Sequence, residues 1–128
     1  MKIAFDIDDC LIIPSVVTGN RDVPNFETIA ILRWFQNNGH EIFLWSGSGT
    51  DWAQSWGEKL GLEPFTVISK LYPSVCTVHG TKEKGCPQCY VMDIAFDDCD
   101  VDLAKVNVKV KRIKNDISRA NWNKTKRI

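Results

Sequence analysis

The chain contains no apolar run approaching the roughly 20 residues of a membrane-spanning helix, so no membrane partner is expected. It lacks net charge: 16 Lys and Arg balance 16 Asp and Glu. It has no internal repeat and no low-complexity segment. It also lacks the pattern of a disulfide framework. Five cysteines (Cys10, Cys76, Cys86, Cys89, Cys99) are an odd count. The first apolar strand pattern begins at residue 2, which leaves no room for a signal peptide. Thiols or a metal site are expected instead, with a cytoplasmic location as the default.

With 44% hydrophobic and 25% charged residues over 128 positions, the composition is that of one ordinary globular domain, residues 1–128, large enough to bury a core. The charge balance conceals an asymmetry. From residue 103 onward there are nine Lys and Arg, opposed only by Asp116. The acidic excess falls earlier, where strands end.

The first of those ends organises the chain. Residues 2–5 form a short apolar run of strand formers that delivers Asp6, Asp8 and Asp9. Carboxylates this close repel one another and need a cation or a catalytic task, although a solvated acidic turn would look the same. Residues 10–24, punctuated by Pro14, Gly19, Asn20 and Pro24, read as a flap over that strand end. Asn25 is placed to cap a helix carrying Thr28, Ile29, Ile31, Leu32 and Phe35, closed by Asn37-Asn38-Gly39. Residues 40–45 predict a second strand ending on Ser46-Gly47-Ser48-Gly49, and a helix then runs from residue 50 or 51 to a stop at Gly61. A third strand over 65–69 is followed by Lys70, and a fourth over 91–96 by Asp97-Asp98. Residues 101–106 read as a short helix, 108–113 as a fifth strand, and 116–122 as a helix in a basic tail.

Strands alternating with helical patterns predict an α/β fold: a Rossmann-like three-layer domain with a parallel sheet of about five strands covered on both faces. Right-handed crossovers then bring Asp6, Asp8, Ser46, Lys70, Asp97 and Asp98 to one edge of the sheet. Such a set suits phosphoryl transfer. A carboxylate attacks, Mg2+ bound by carboxylate oxygens neutralises the anion, and a hydroxyl, backbone amides and an ammonium position it. Taken singly, Ser46 is also an ordinary turn residue, Asp97-Asp98 a helix cap, and Lys70 a strand-end lysine whose task Lys82 or Lys84 could take.

Residues 71–90 break the rhythm and form an insert. Cys76-x-x-His79 and Cys86-x-x-Cys89 have the paired spacing of a tetrahedral structural Zn2+ site, in a segment with too few apolar residues to hold itself together. A redox Cys-x-x-Cys pair is the alternative, but it leaves Cys76 and His79 without a role. The basic end, with Trp122 among its charges, could track a nucleic-acid backbone or be a solvated tail.

The order Phe-Asp-Ile-Asp-Asp, Phe-Leu-Trp-Ser-Gly, Ile-Ser-Lys, Ile-Ala-Phe-Asp-Asp resembles the four motifs of the haloacid dehalogenase-like hydrolase superfamily, over residues 2 to about 113. The resemblance implies a phosphatase. In it, Asp6 is the nucleophile that forms an aspartyl-phosphate, and Asp8 is the acid for the leaving group and then the base for water. Ser46 with Gly47 would bind a phosphoryl oxygen, and Lys70 would steady nucleophile and phosphate. Asp6, the backbone carbonyl of Asp8, and Asp97 would hold Mg2+, with Asp98 as ligand or neighbour. Some members carry a cap or zinc loop where residues 71–90 lie. Between Asp9 and Ser46 there is no room for a cap domain, so an open site suits a large substrate or an exposed phosphate end, unless an oligomer supplies a cap; the expected partner is a phosphorylated small molecule such as a nucleotide, or a nucleic-acid phosphate end. A receiver domain is excluded by its phosphoacceptor on a middle strand and its Lys on the last one. The rival from another class is a non-catalytic zinc-containing module that binds nucleic acid or protein.

Overall fold

The computed structural model describes residues 1–19, 21–70, 86 and 89–113. The elements run β1 (Lys2–Asp6), β2 (Ile12–Ile13), α1 (Ser15–Thr18), β3 (Val23–Pro24), α2 (Phe26–Asn37), β4 (Glu41–Trp45), α3 (Thr50–Lys59), β5 (Thr66–Val67), β6 (Met92–Asp97) and β7 (Ala104–Lys109). Five of the strands form one sheet in the order β5-β4-β1-β6-β7, every neighbouring pair parallel. The chain therefore winds outward from β1 through β4 to β5, then returns to the other side of β1 for β6 and β7. The reversal falls between β1 and β6, the crevice where open α/β sheets bind ligands. This order also differs from the 2-1-3-4-5 of receiver-like folds.

The helices form where their sequence signals stand. The Asn25 side chain accepts from the Thr28 amide at the start of α2, and Asn38 Nδ2 donates to Trp34 O (2.8 Å) at its end, where Gly39 takes φ 81°. Both α2 and α3 pack on one face of the sheet. Ile3 and Phe5 of β1, Ile42 and Leu44 of β4, and Phe96 of β6 share a core with Leu32 and Ala53 from the helices. The Phe5 and Phe96 rings stack with centroids 4.6 Å apart. A Cβ on Gly57 would stand 2.5 Å from Phe65 Cζ and 2.7 Å from Leu44 Cδ1, so α3 approaches the sheet as closely as only glycine allows. The second face carries Ala4, Phe43, Trp45, Met92, Ala95 and Ala104, with Ile68, Val91 and Leu103 against them. Among the described residues no helix packs there, so two of the three expected layers are seen.

The flap over residues 10–24 is a small antiparallel pair, β2 against β3, with α1 between them. One expectation fails. Residues 101–106 are not a helix; the last strand begins at Ala104, four residues earlier than its pattern implied. Asn107 is the physical reason. Its side chain accepts from the amides of Leu103 (2.9 Å) and Ala104 (3.0 Å) and donates to Ala104 O (2.9 Å), a local set of bonds that holds residues 103–107 at the start of the strand. Pairing with β6 from Met92↔Ala104 to Asp97↔Lys109 does the rest. Cys76, His79, Lys82, Lys84, the residues 116–122 expected to be helical and Trp122 lie outside the described residues. Among the described residues no helix is long and apolar enough to cross a membrane.

Candidate functional site

Parallel pairing places every strand's carboxyl end on one edge, and register sets the heights. Asp6 pairs with Trp45, and Asp97 is the last residue of β6, one step beyond the Phe5↔Phe96 pair. Ser46 follows immediately after β4. Asp6 is 5% exposed and Asp97 fully buried, on the two strands that flank the reversal point.

Lys70 joins them. Its Nζ lies 3.3 Å from Asp6 Oδ1 and 2.7 Å from Asp97 Oδ2. The first contact is a hydrogen bond. The second is an ion contact without hydrogen-bond direction, for Asp97 Oδ2 is enclosed and has no donor in line with it. Asp97 Oδ1, by contrast, accepts from the Cys99 amide at 3.0 Å. One ammonium thus serves two buried carboxylates, and it is not enough. Burial, then repulsion from Asp97, push the Asp6 carboxyl up to about 7 despite Lys70. Burial lowers the Lys70 pKa, but the two carboxylates outweigh it and leave the ammonium firmly charged.

Beyond β1 the chain turns sharply. Ile7 O accepts from the amides of Cys10 (3.2 Å), Leu11 (2.9 Å) and Ile12 (3.1 Å), and Asp9 takes φ 59°, a left-handed conformation that Asp tolerates better than most side chains. This turn lifts Asp8 off the strand and against α3, where the Trp52 indole Nε1–H donates to Asp8 Oδ2 at 3.1 Å. Burial raises the Asp8 carboxyl; the indole bond opposes this, and Asp22, Asp9 and Asp98 add to it. Trp52 was not singled out by sequence. Its signal was its position, three residues after the Ser-Gly-Ser-Gly turn at a helix start that faces the strand ends.

Ser46 is buried, and its Oγ accepts from the Ser48 amide at 3.0 Å, so the hydroxyl also closes the turn. Gly47 is exposed, and nothing stands within 4 Å of where its Cβ would be, so space is open beside its backbone. Gly49 (φ 106°) heads α3, whose N-terminus has no side-chain cap, so its first amides are available to an anion.

Asp98 is held differently. Arg112 Nε bonds its Oδ2 at 2.8 Å and lies 3.9 Å from Asp9 Oδ2. Burial raises the Asp98 carboxyl, but hydrogen bonds led by that from Arg112 prevail and hold it below the ordinary range. Arg112 is the second residue that sequence missed, hidden in the basic run and displaced by the misplaced strand. Lys109, Lys111 and Arg112 line a groove of about 530 Å³ beside Asp98 and Cys99.

A divalent cation fits this set. Ligand atoms of Asp97, Asp98 and Cys99 lie within 4.8 Å of one another, and Asp97 Oδ2 has an enclosed oxygen with no directed donor. Asp6 needs more positive charge than Lys70 supplies. Hard oxygen donors of this kind suit Mg2+, whereas the Cys99 thiol does not. Of the four residues expected to bind zinc, Cys86 and Cys89 are described. They pack together with Tyr90 in a turn in which the Cys89 and Tyr90 amides both donate to Cys86 O at 3.1 Å. No protein-family model, curated protein or solved structure matches this chain.

Proposed function

We propose that this chain is a Mg2+-dependent phosphomonoester hydrolase of the haloacid dehalogenase-like type, working through an aspartyl-phosphate on Asp6. The observation that carries the reading is the single ammonium of Lys70 between two buried carboxylates, Asp6 and Asp97, at the reversal point of the sheet.

Asp6 attacks phosphorus, the bond to the leaving oxygen breaks, and Asp8 gives that oxygen its proton. Asp8 then takes a proton from water as the water attacks the phosphoryl group, and inorganic phosphate leaves as the Asp6 carboxylate is restored. Lys70 keeps Asp6 oriented and partners a phosphoryl oxygen. The Ser46–Gly49 turn and the uncapped start of α3 offer amides to the others. Asp6, the Asp8 carbonyl and Asp97 would hold Mg2+, with Asp98 kept by Arg112 as an outer partner; bound there, the ion neutralises charge on the transferring group. The groove of Lys109, Lys111 and Arg112, in which Asp100 and Asp98 pair with two of the three cations, keeps a small positive excess that favours substrates with further negative charge, such as a nucleotide or a nucleic-acid phosphate end. The Cys86–Cys89 turn supports a structural Zn2+ held with Cys76 and His79; unchanged zinc content in Cys86→Ser would rule this out.

The test is phosphate release from nucleotides, sugar phosphates and 3′- or 5′-phosphorylated oligonucleotides, with and without Mg2+. Release that needs Mg2+ and disappears in a folded Asp6→Asn protein is the expected result. No release from any of them, with metal bound and the fold intact, would leave the zinc-containing binding module as the better description.

A further inference from the structure

We infer that Trp52 is the positioning residue for Asp8, its indole holding one carboxylate oxygen so that the other carries the proton for the leaving group. This rests on the phosphatase reading and adds to it a part assigned by contact. An indole N–H only donates, so Asp8 Oδ2 at 3.1 Å accepts from it; the carbonyl oxygen of a carboxylic acid is the better acceptor, which favours the proton on Oδ1.

The indole is suited to the task because its own place is fixed in steps from the sheet outward. Gly57 lets α3 press on Phe65 and Leu44. One residue back, Trp56 packs against the core, with the Lys59 ammonium 4.9 Å from its ring. Trp52 stands edge-on to Trp56, centroids 6.1 Å apart and planes at 72°. Asp8 lies in a turn outside any strand, so without this bond its carboxyl would be free to rotate.

The experiment compares wild type with Trp52→Phe, which keeps a ring and removes the N–H, on an alkyl phosphate and on 4-nitrophenyl phosphate. The alkoxide needs a proton to leave and the nitrophenolate does not. The expected result, read as kcat/KM because that constant reports the first transfer and not the hydrolysis of the intermediate shared by both esters, is a fall of about 10- to 100-fold on the alkyl ester and of less than about threefold on the nitrophenyl ester. Equal losses on both esters, or no loss, overturn the inference while leaving the phosphatase reading in place. No release by wild type overturns both. Independently of turnover, the Trp52 indole N–H resonance should move in Asp8→Ala; an unmoved resonance means the bond is absent and overturns the inference.

Discussion

Two kinds of ion pair sit within a few residues of each other. At the reversal point, Lys70 lies between Asp6 and Asp97, whose side chains are 7% and 0% exposed. Along the far strand, Lys109 reaches Asp100 at 3.3 Å with side chains 58% and 88% exposed, and between these extremes Arg112, half in water, reaches an Asp98 side chain that is 8% exposed. The geometries are similar and the surroundings are not. A buried carboxylate has lost its hydration and depends wholly on its partner, whereas an exposed one exchanges a partner for water at little cost. The lesson is that placement, not distance, marks the first group as a site.

Removing Lys70 should therefore have the largest effect. Lys70→Met leaves two buried carboxylates facing each other. At pH 8 in magnesium-free buffer it should lower stability by about 2–3 kcal/mol, somewhat under the usual cost of breaking a buried pair because the ammonium is partly exposed. Phosphate release should fall by about 10²–10³-fold. Urea unfolding and turnover read the two effects. A variant as stable and as active as wild type would erase the distinction between the two kinds of pair.

Next in size is the pH dependence, where the two kinds of pair have opposite signs. The folded value for Asp6 is about 7 against an ordinary 3.8, so the folded chain keeps a proton that the unfolded chain releases. This group's favourable contribution is complete at acid pH below the ordinary value. It is lost as pH rises toward about 7. Asp98 is held low, so its contribution is present above the ordinary carboxylate range and lost as pH falls. In thermal melts without magnesium, Asp6→Asn should flatten the decline from about pH 4 to about pH 7, and Arg112→Gln should flatten the acid side only. The same slope in Asp6→Asn and wild type would remove Asp6 as the source.

What sequence could reveal follows the same division. The ends of β1, β4 and β6 were legible because buried strands are mostly apolar, so the polar residue that closes or follows each one (Asp6, Ser46, Asp97) stands out. In both β1 and β4 the first residue is exposed and the following four are buried, which is that signal in the structure. β7 is exposed at five of its six positions, so nothing in its composition enforced a strand. Its identity comes from pairing with β6 and from the Asn107 side chain, both tertiary. Arg112 was lost with it. Trp52 was invisible for another reason, since its partner Asp8 faces it only because the chain turns at Ile7, and no periodicity reports such a turn. Ser46 was located by sequence, but its bond to the Ser48 amide was not.

The smallest effect belongs to the outermost pair, and it sharpens the contrast by being small. Lys109→Ala removes an ion pair of 3.3 Å, the same length as the Lys70–Asp6 contact, yet stability should stay within about 0.5 kcal/mol of wild type. Ionic strength separates the two further. At about 1 M salt the screening length is about 3 Å, so the residual effect of Lys109→Ala should vanish, while most of the loss in Lys70→Met persists because Asp6 and Asp97 are almost wholly buried and buried pairs are screened much less. Equal salt sensitivity in both variants would mean that solvent enters the reversal point freely. The strain that Lys70 relieves there would then be no larger than at the surface.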